Sequence, residues 1–581
     1  MKSKKAASSL LKFALMALII IVLNVLGSFI YGKIDLTEDQ RFTLNPATAE
    51  LLAQLPSDTA SVSIEILLDG EFPSDFRHLQ NNLKDLMGLF KERSGGMLNY
   101  RFVNPLDGTE EEVKALQQQL AKQKIMPLQI KDARQGRMIL VFPFAIVRSG
   151  YNFEVINMIE LGDGYYQPSD ISASINSLEY KFAAAIKKLQ LKSKPVVAFI
   201  NNHGELPLRH IYGFEKALSE NYGTKHVDLS RLNQIDSSVS LVVIAKPKRQ
   251  FSYDDQFKLD QYVMNGGRIL WMIDALDMED DSLGNPQGFH VPIPRELDLQ
   301  KLLFNYGVRV NNNLIASYDA AAFGGLQSGP NQKSNPKWFY YPLVKPFATP
   351  EEGLETGKSV IDHPIVKNLD FVLTKYPSSI DTVGTKTNVK KTPLLRSSKY
   401  SKLQYPPTRI GFGVIDPAIG PEAFTKGHQN VAVLLEGEFE SHFKNRLPPG
   451  TENIWKRAGN YPIRMTSRPS KMIVISDGDI AYNNYHAPSQ RHYPLGAGFL
   501  PDFGPKLFAN QDFLLACVEY LTDDSGLVNL RNREIRLRPL DQKRAFDQES
   551  LWQFINLGIP LIVLGIFGLI YYYLRRRRYA N

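Results

Sequence analysis

One cysteine, Cys517, stands in 581 residues, so no internal disulfide is open to this chain and no Cys-x-x-Cys motif exists for thiol redox chemistry. No Gly-x-Ser-x-Gly elbow offers a serine nucleophile. No Gly-x-x-x-x-Gly-Lys-Ser/Thr loop is present to cradle the phosphates of ATP. The ten histidines are scattered, with no His-x-x-x-His pair to hold a metal on one helix face, and the acidic run Asp274 to Asp281 lacks the Asp-x-Asp-x-Asp-Gly order of a calcium loop. No cofactor-binding motif and no internal repeat is found. These absences leave a binding, structural or coupling role as the expectation, with no catalytic and no metal-ligating residue assigned.

Net charge is missing too, once its position is considered. The formal +8 and pI near 9.0 suggest a partner with phosphates. Eight of the 68 basic residues are Lys2, Lys4, Lys5, Lys12 and Arg575 to Arg578, and no acidic residue lies in 1–31 or 575–581. That leaves 60 basic against 60 acidic residues between the ends. A formally neutral middle has no general pull on a nucleic-acid backbone, so no nucleic-acid partner is expected.

What the chain does have is an apolar run near each end, Phe13 to Tyr31, broken by Asn24, and Leu557 to Leu574. Each approaches the ~20 residues that cross a bilayer as a helix. Their outer flanks carry the basic residues just named, which places both termini in the cytoplasm by the positive-inside rule. The first core is longer than that of a secretory signal, and bulky Phe29, Ile30 and Tyr31 follow Gly27-Ser28, which favours an uncleaved anchor. Residues 32–556 then form one loop on the far side. Export without disulfides suits a bacterial periplasm, so the expected location is the bacterial inner membrane with a periplasmic ectodomain.

Within the loop, Asn45-Pro46 reads as an N-cap followed by proline at the first helical position, opening a short helix to about Leu55. Then come strand 62–68, helix 76–93, strand 98–103, helix 110–123, and a hairpin from 137–147 and 151–161 turning at Ser149-Gly150. That order is the order of a thioredoxin-like fold. A helix over 171–191 leads to apolar strands at 195–200, 240–245, 268–273 and 471–476, with helices at 212–221 and 253–264. Strands without alternation are buried on both faces, which means a parallel sheet in an α/β layer. Residues 280–430 read as long insertions and short strands, with the basic stretch Lys386 to Lys402 as a flexible loop. Asp512 to Leu521 is an amphipathic helical pattern that buries Cys517 as a small core residue. Arg531 to Leu540 reads as an edge strand and Asp541 to Gln553 as a polar helix, with Trp552 as an interfacial anchor.

The domains are accordingly 1–31 (tail and first membrane helix), 32–60 (membrane-proximal), 61–165 (thioredoxin-like), 166–192 (linking helix), 193–540 (α/β), 541–556 (linker), 557–574 (second membrane helix) and 575–581 (basic tail).

Polar residues follow three of the parallel strands: His203 and Glu205, Asp274, and Asp477 with Asp479. Ligands of open α/β sheets bind beyond the carboxyl ends of strands. Two readings stand for these five residues, a shared ligand crevice or separate loop and capping roles. Gly558, Gly565 and Gly568 lie near one face of the second apolar run, and two readings stand for them: a packing face where small residues let a partner helix approach, or the glycine common in membrane helices generally.

Taken in order, Asp35-Leu-Thr37, Arg41-Phe-Thr-Leu44, Pro46-Ala-Thr48, His203-Gly-Glu205, Ser476-Asp-Gly-Asp479, Asn510-Gln-Asp-Phe513 and Glu534-Ile-Arg-Leu-Arg-Pro-Leu-Asp541 give the chain its resemblance to the gliding-motility-associated ABC transporter auxiliary (GldG) family of Bacteroidetes-type bacteria. The resemblance implies work beside an ABC ATPase subunit and a multi-spanning permease subunit. It also implies that the α/β half is glutamine-amidotransferase-like (flavodoxin-like), a domain also seen in an intraflagellar transport subunit where carbohydrate binding has been suggested. True amidotransferases place a nucleophilic cysteine at a strand-to-helix elbow. Cys517 sits in a helical pattern and does not match it, so a non-catalytic relative is implied. The reading is a periplasm-facing, non-ATPase coupling component. Its alternatives are a membrane-anchored module for a carbohydrate or other envelope ligand, and a hydrolase or amidotransferase-like enzyme.

Overall fold

The computed structural model describes residues 15–16, 18–19, 22, 43–55, 62–131, 137–159, 168–191, 193–324, 337–356, 358–414, 419–447, 451–459, 461–501, 503–532 and 548–579. The chain divides into two compact units, one of Met1–Thr43, Leu161–Asn176 and Glu534–Asn581, the other of Leu44–Glu160 and Ser177–Arg533.

The second unit begins with helix α1, Pro46–Ala53, whose N-cap Asn45 accepts a hydrogen bond from the Ala47 amide. Strand β1 (Val62–Ile66), helix α2 (Ser74–Arg93), strand β2 (Leu98–Phe102) and helix α3 (Glu110–Lys122) follow as the sequence pattern requires. Thr109 and Glu112 close a capping box at the start of α3. Strands β3 (Leu128–Lys131), β4 (Met138–Val141), β5 (Phe144–Ser149) and β6 (Asn152–Asn157) complete this region. The sheet order is β2-β1-β5-β6, with β1 parallel to β2 and antiparallel to β5. α2 packs Phe76, Leu79, Leu83, Met87 and Phe90 out of water.

One expectation is corrected here. The run 137–147 is two strands, because Pro143 has no N–H for a ladder. β4 leaves to pair with β3, while β5 enters the main sheet and turns into β6 at Gly150, where φ is +60°.

Helix α4 (Pro168–Gln190) carries the alanine-rich run, and its Ala183 packs with Leu527 and Leu530 and against Ala47 and Leu51 of the α1 region. Beyond it lie β7 (Val196–Asn201), α5 (Leu208–Ser219), β8 (Gly223–Asp228), β9 (Val239–Ala245), α6 (Tyr253–Met264) and β10 (Ile269–Met272). Strands β11 (Val389–Arg396), β12 (Asn430–Gly437) and β13 (Ser470–Ile475) join them in a sheet of order β11-β12-β13-β10-β9-β7-β8. Five neighbours are parallel, from β13 to β8; β12 and β11 are antiparallel additions at one edge. Alternate residues serve opposite faces. Val197, Phe199, Leu241, Val243, Leu270 and Ile473 share one core with Phe214 of α5 and with Cys517 of helix α7 (Asn510–Thr522). Ala198, Ile200, Val242, Ile244, Trp271 and Val474 share the other with Leu259 and Val263 of α6. This double burial is why the strands read as continuous apolar runs.

The basic stretch 386–402 is not a loop: β11 crosses it. Its lysines take the wetter positions, while Leu394 and Leu395 are buried and Arg396 bonds through Nη2 to Glu352 Oε1 at 2.8 Å. The region of insertions also has a body of its own. Val372–Leu373, Lys337–Val344, Ala320–Ala322, Ala497–Leu500 and Gly504–Leu507 form a five-stranded sheet over a core that includes Trp338, Tyr340, Tyr341 and Tyr376. Of the expected edge strand 531–540, the described start belongs to a 3-10 turn, Leu527–Asn532, and 533–540 lie outside the described residues.

In the first unit, helix α8 spans Glu549–Tyr579 with Pro560 inside it. Within its stretch Leu551–Arg577 an 18-residue window has mean hydropathy 2.2, and none of that window is buried. Apolar surface of this extent is unfavourable in water, and it marks the helix as a membrane anchor. The expected polar helix from 541 starts, among the described residues, only at α8. Of the first apolar run, Leu15, Met16, Leu18, Ile19 and Val22 are described; they are helical and exposed. The rest of that run and the motif residues 35–42 lie outside the described residues.

Candidate functional site

The carboxyl ends of the parallel strands deliver their polar residues to one edge, and there they separate into two clusters. The first is built around Lys246, the residue directly after β9. Its ammonium lies 2.6 Å from Asp479, 3.5 Å from Asp274 and 4.0 Å from Glu279. Only 4% of its side chain is exposed. Asp274, after β10, accepts from the Gly478 amide at 2.6 Å. Asp477, after β13, accepts from the Asp479 and Lys375 amides at 2.7 and 2.9 Å. Lys375 in turn bonds Asp280 at 2.7 Å. Gly478 is required by this geometry, since a Cβ there would meet Lys246 Cβ at 2.6 Å.

The electrostatics follow from burial and crowding. Burial raises the Asp274 carboxyl, against the attraction of Lys246. Burial, reinforced by Asp479 and Asp274, pushes Asp477 well above the usual carboxylate range. Burial alone would lower Lys246, but the charges of Asp479, Asp274 and Glu279 outweigh it and raise it. The cluster is thus an internally neutralised knot. A small cavity of about 30 Å³ lies beside Asp274, lined also by Arg295, Leu297 and Leu303.

The second cluster centres on His203. Its Nε2 lies 3.3 Å from Asp255 Oδ2 on α6, and its Nδ1 lies 3.4 Å from Glu205 Oε1. The ring stacks on Phe251 with centroids 3.7 Å apart. Glu205 Oε2 also accepts from the His203 amide at 2.7 Å. Burial works to lower the imidazole, yet the hydrogen bonds to Asp255 and Glu205 prevail and raise it from 6.5 to about 9. Asp255 is held at about 2: burial raises it, and the bonds from His203 and Ser252 outweigh that. Lys248 joins the clusters, its amide donating to His203 O at 2.7 Å and its ammonium bonding Glu279 at 2.9 Å.

All five candidate residues therefore lie at one sheet edge, Asp274, Asp477 and Asp479 around one lysine and His203 with Glu205 beside them. Sequence reasoning missed Lys246, Lys248, Asp255 and Lys375. For the first two a signal existed, a basic Lys-Pro-Lys directly after an apolar strand. Among the described residues no group of three or more His, Cys, Asp or Glu side chains is placed to hold a metal ion. Cys517 is fully buried in α7, and burial pushes its thiol well up, away from nucleophilic use.

Open space lies on the far side of Glu205. A cleft of about 330 Å³ is lined by Asn201, Asn202, Gly204, Glu205, Leu206, Pro207, Leu208, His226 and Arg249.

Comparison with known proteins adds the following. The family model described as an ABC-type uncharacterized transport system matches residues 194–517, and a model for a domain of unknown function matches 38–148. No curated protein matches. Among solved structures, the mmIFT52 N-terminal domain is similar at 12% identity and TM-score 0.31, over 57% of this chain and 98% of its own. A ThuA-like protein from Parabacteroides merdae ATCC 43184 is similar at 11% identity and TM-score 0.25, over 60% of this chain and 94% of its own.

Proposed function

Since the chain belongs to the ABC-type uncharacterized transport system family, as a non-ATPase accessory component that works with other ABC transporter subunits, we propose that it is the periplasm-facing member of a complex associated with bacterial gliding motility. Its partners are an ABC ATPase subunit and a multi-spanning permease subunit. The single observation that carries this reading is the family match over the whole parallel-sheet region, in a chain that ends in an exposed apolar helix.

The mechanism is coupling rather than chemistry. In α8, Trp552 and Tyr571 are 19 residues apart, which at the helical rise is about 28 Å and fits the thickness of a hydrocarbon core. Aromatic residues favour the two interfaces, and Arg575 to Arg578 favour the cytoplasmic side. With the first apolar run as a second anchor, motion in the ATPase and permease reaches the ectodomain from both ends of the chain. Anchoring at both ends suits conformational or force transfer better than a diffusing receptor. The proposal includes a thioredoxin-like reading of the β2-β1-β5-β6 region and an amidotransferase-like reading of the seven-stranded region, without an active nucleophile. The sealed Cys517 supports the last point.

Affinity purification of tagged full-length protein in mild detergent, with mass spectrometry, tests the proposal. Stoichiometric recovery of an ABC ATPase and a multi-spanning permease is expected, and Gly558→Leu or Gly565→Leu is expected to reduce it. Recovery of neither subunit sinks the coupling reading.

A further inference from the structure

The usable space at the sheet edge is not where the aspartates gather. We propose that the cleft beyond β7 and β8 binds a small ligand bearing an oxyanion, a carboxylate or phosphate group, with Arg249 as the anchoring cation.

Its volume of about 330 Å³ is at the lower end of the ~300–1,000 Å³ typical of small-molecule pockets. Arg249 is exposed on its wall and makes no ion pair or side-chain hydrogen bond among the described residues. Its backbone is nevertheless fixed, since its amide donates to His203 O at 2.8 Å. A guanidinium held this way offers parallel N–H donors that match carboxylate and phosphate oxygens. Asn201 and Asn202 add amide groups beside it, and Asn202 Nδ2 is steadied by Ser230 Oγ at 3.3 Å.

The wall holds one carboxylate, Glu205, and its charge is turned inward. Both oxygens face His203, at 2.7 Å from its amide and 3.4 Å from its ring, and only 4% of the side chain is exposed. The imidazolium, shared with Asp255, offsets part of that charge within the protein. Pro207 and Leu208, also in the lining, are the start of α5. That 12-residue helix has no side-chain cap and no acidic residue in its first turn, so its positive end is left uncompensated. Arg249 and the amide groups of Asn201 and Asn202 are thus the polar groups left open to the cleft, while Glu205 is engaged with His203. The unpaired guanidinium is what favours an anionic group over a cation there.

The test uses full-length protein in detergent at fixed ionic strength. Inorganic phosphate and succinate are titrated separately by calorimetry, which distinguishes the two oxyanion sources. Saturable binding of at least one is expected, weakened roughly tenfold or more by Arg249→Ala and partly restored by Arg249→Lys. Lys386→Ala, an exposed lysine outside the cleft, should leave binding unchanged. Saturable binding of neither anion, or equal binding by Arg249→Ala, overturns the proposal. Recovery of transporter subunits with the Arg249→Ala protein is measured on the same preparations, so failure of this site is not confused with failure of the complex.

Discussion

Two stretches of the same sheet edge meet the physics of buried charge in opposite ways. Around Lys246, several carboxylates are drawn inside and answered by ammonium groups and backbone amides. A few residues away, beyond β7, Arg249 is left in water above a cleft that holds about 330 Å³. The difference teaches that acidic residues at strand ends do not by themselves mark a ligand site. Satisfied and buried, they stiffen the ends of the strands; what is free to recognise a ligand is the group the protein has left unpaired.

That contrast breaks most severely at Lys246. Lys246→Met leaves Asp274 and Asp479 buried without their cation and should cost about 3–5 kcal/mol, read as a large fall in the denaturation midpoint. Retention of wild-type stability would mean that the knot is not what closes this edge.

The next effect is a pH slope from His203. Its folded pKa is raised from 6.5 to about 9, so its contribution is fully present below pH 6.5 and lost as pH rises through 9. Melting temperature should fall over that window, at a ceiling of about 1.4 kcal/mol per pH unit for one proton. His203→Gln should flatten the slope. Asp255 acts at the other end: its stabilisation is present above about 4 and lost as pH falls through about 2.

Cys517→Ser sharpens a related contrast, between an apolar helix inside the protein and one outside it. Exchanging a buried thiol for a hydroxyl should cost about 1–3 kcal/mol, with recovery of partner subunits unchanged. A thiol reagent should label native protein slowly and denatured protein at once. The smallest expected change is the stability of Arg249→Ala, within about 0.5 kcal/mol of wild type, because the exposed side chain supports nothing. A large loss there would place Arg249 among the structural ions.

Much of this fold was legible in the chain. The apolar runs at 195–200, 240–245, 268–273 and 471–476 are parallel strands because only a strand covered on both faces can be apolar at every position. Strand β8, Gly-Thr-Lys-His-Val-Asp, was not legible, since an edge strand is half in water and its pattern is broken. Strand β11 was hidden by its lysines, which snorkel from a strand whose far end is buried. The five candidate residues were correctly placed at strand ends, but their partners come from elsewhere in the chain: Asp255 from a helix, and Lys375 through the amide it gives Asp477.

Sequence alone determined the α/β class, the absence of disulfides, the apolar helix at the carboxyl end and the strand-end position of the polar residues. Each of these depends on local composition and periodicity, which a single stretch of chain carries in full. Only the tertiary structure decided which of those polar residues are neutralised and which are left to solvent. Charge pairing depends on distances between segments far apart in sequence. A carboxylate becomes a binding group or a buried strut according to whether a cation such as Lys246 reaches it first.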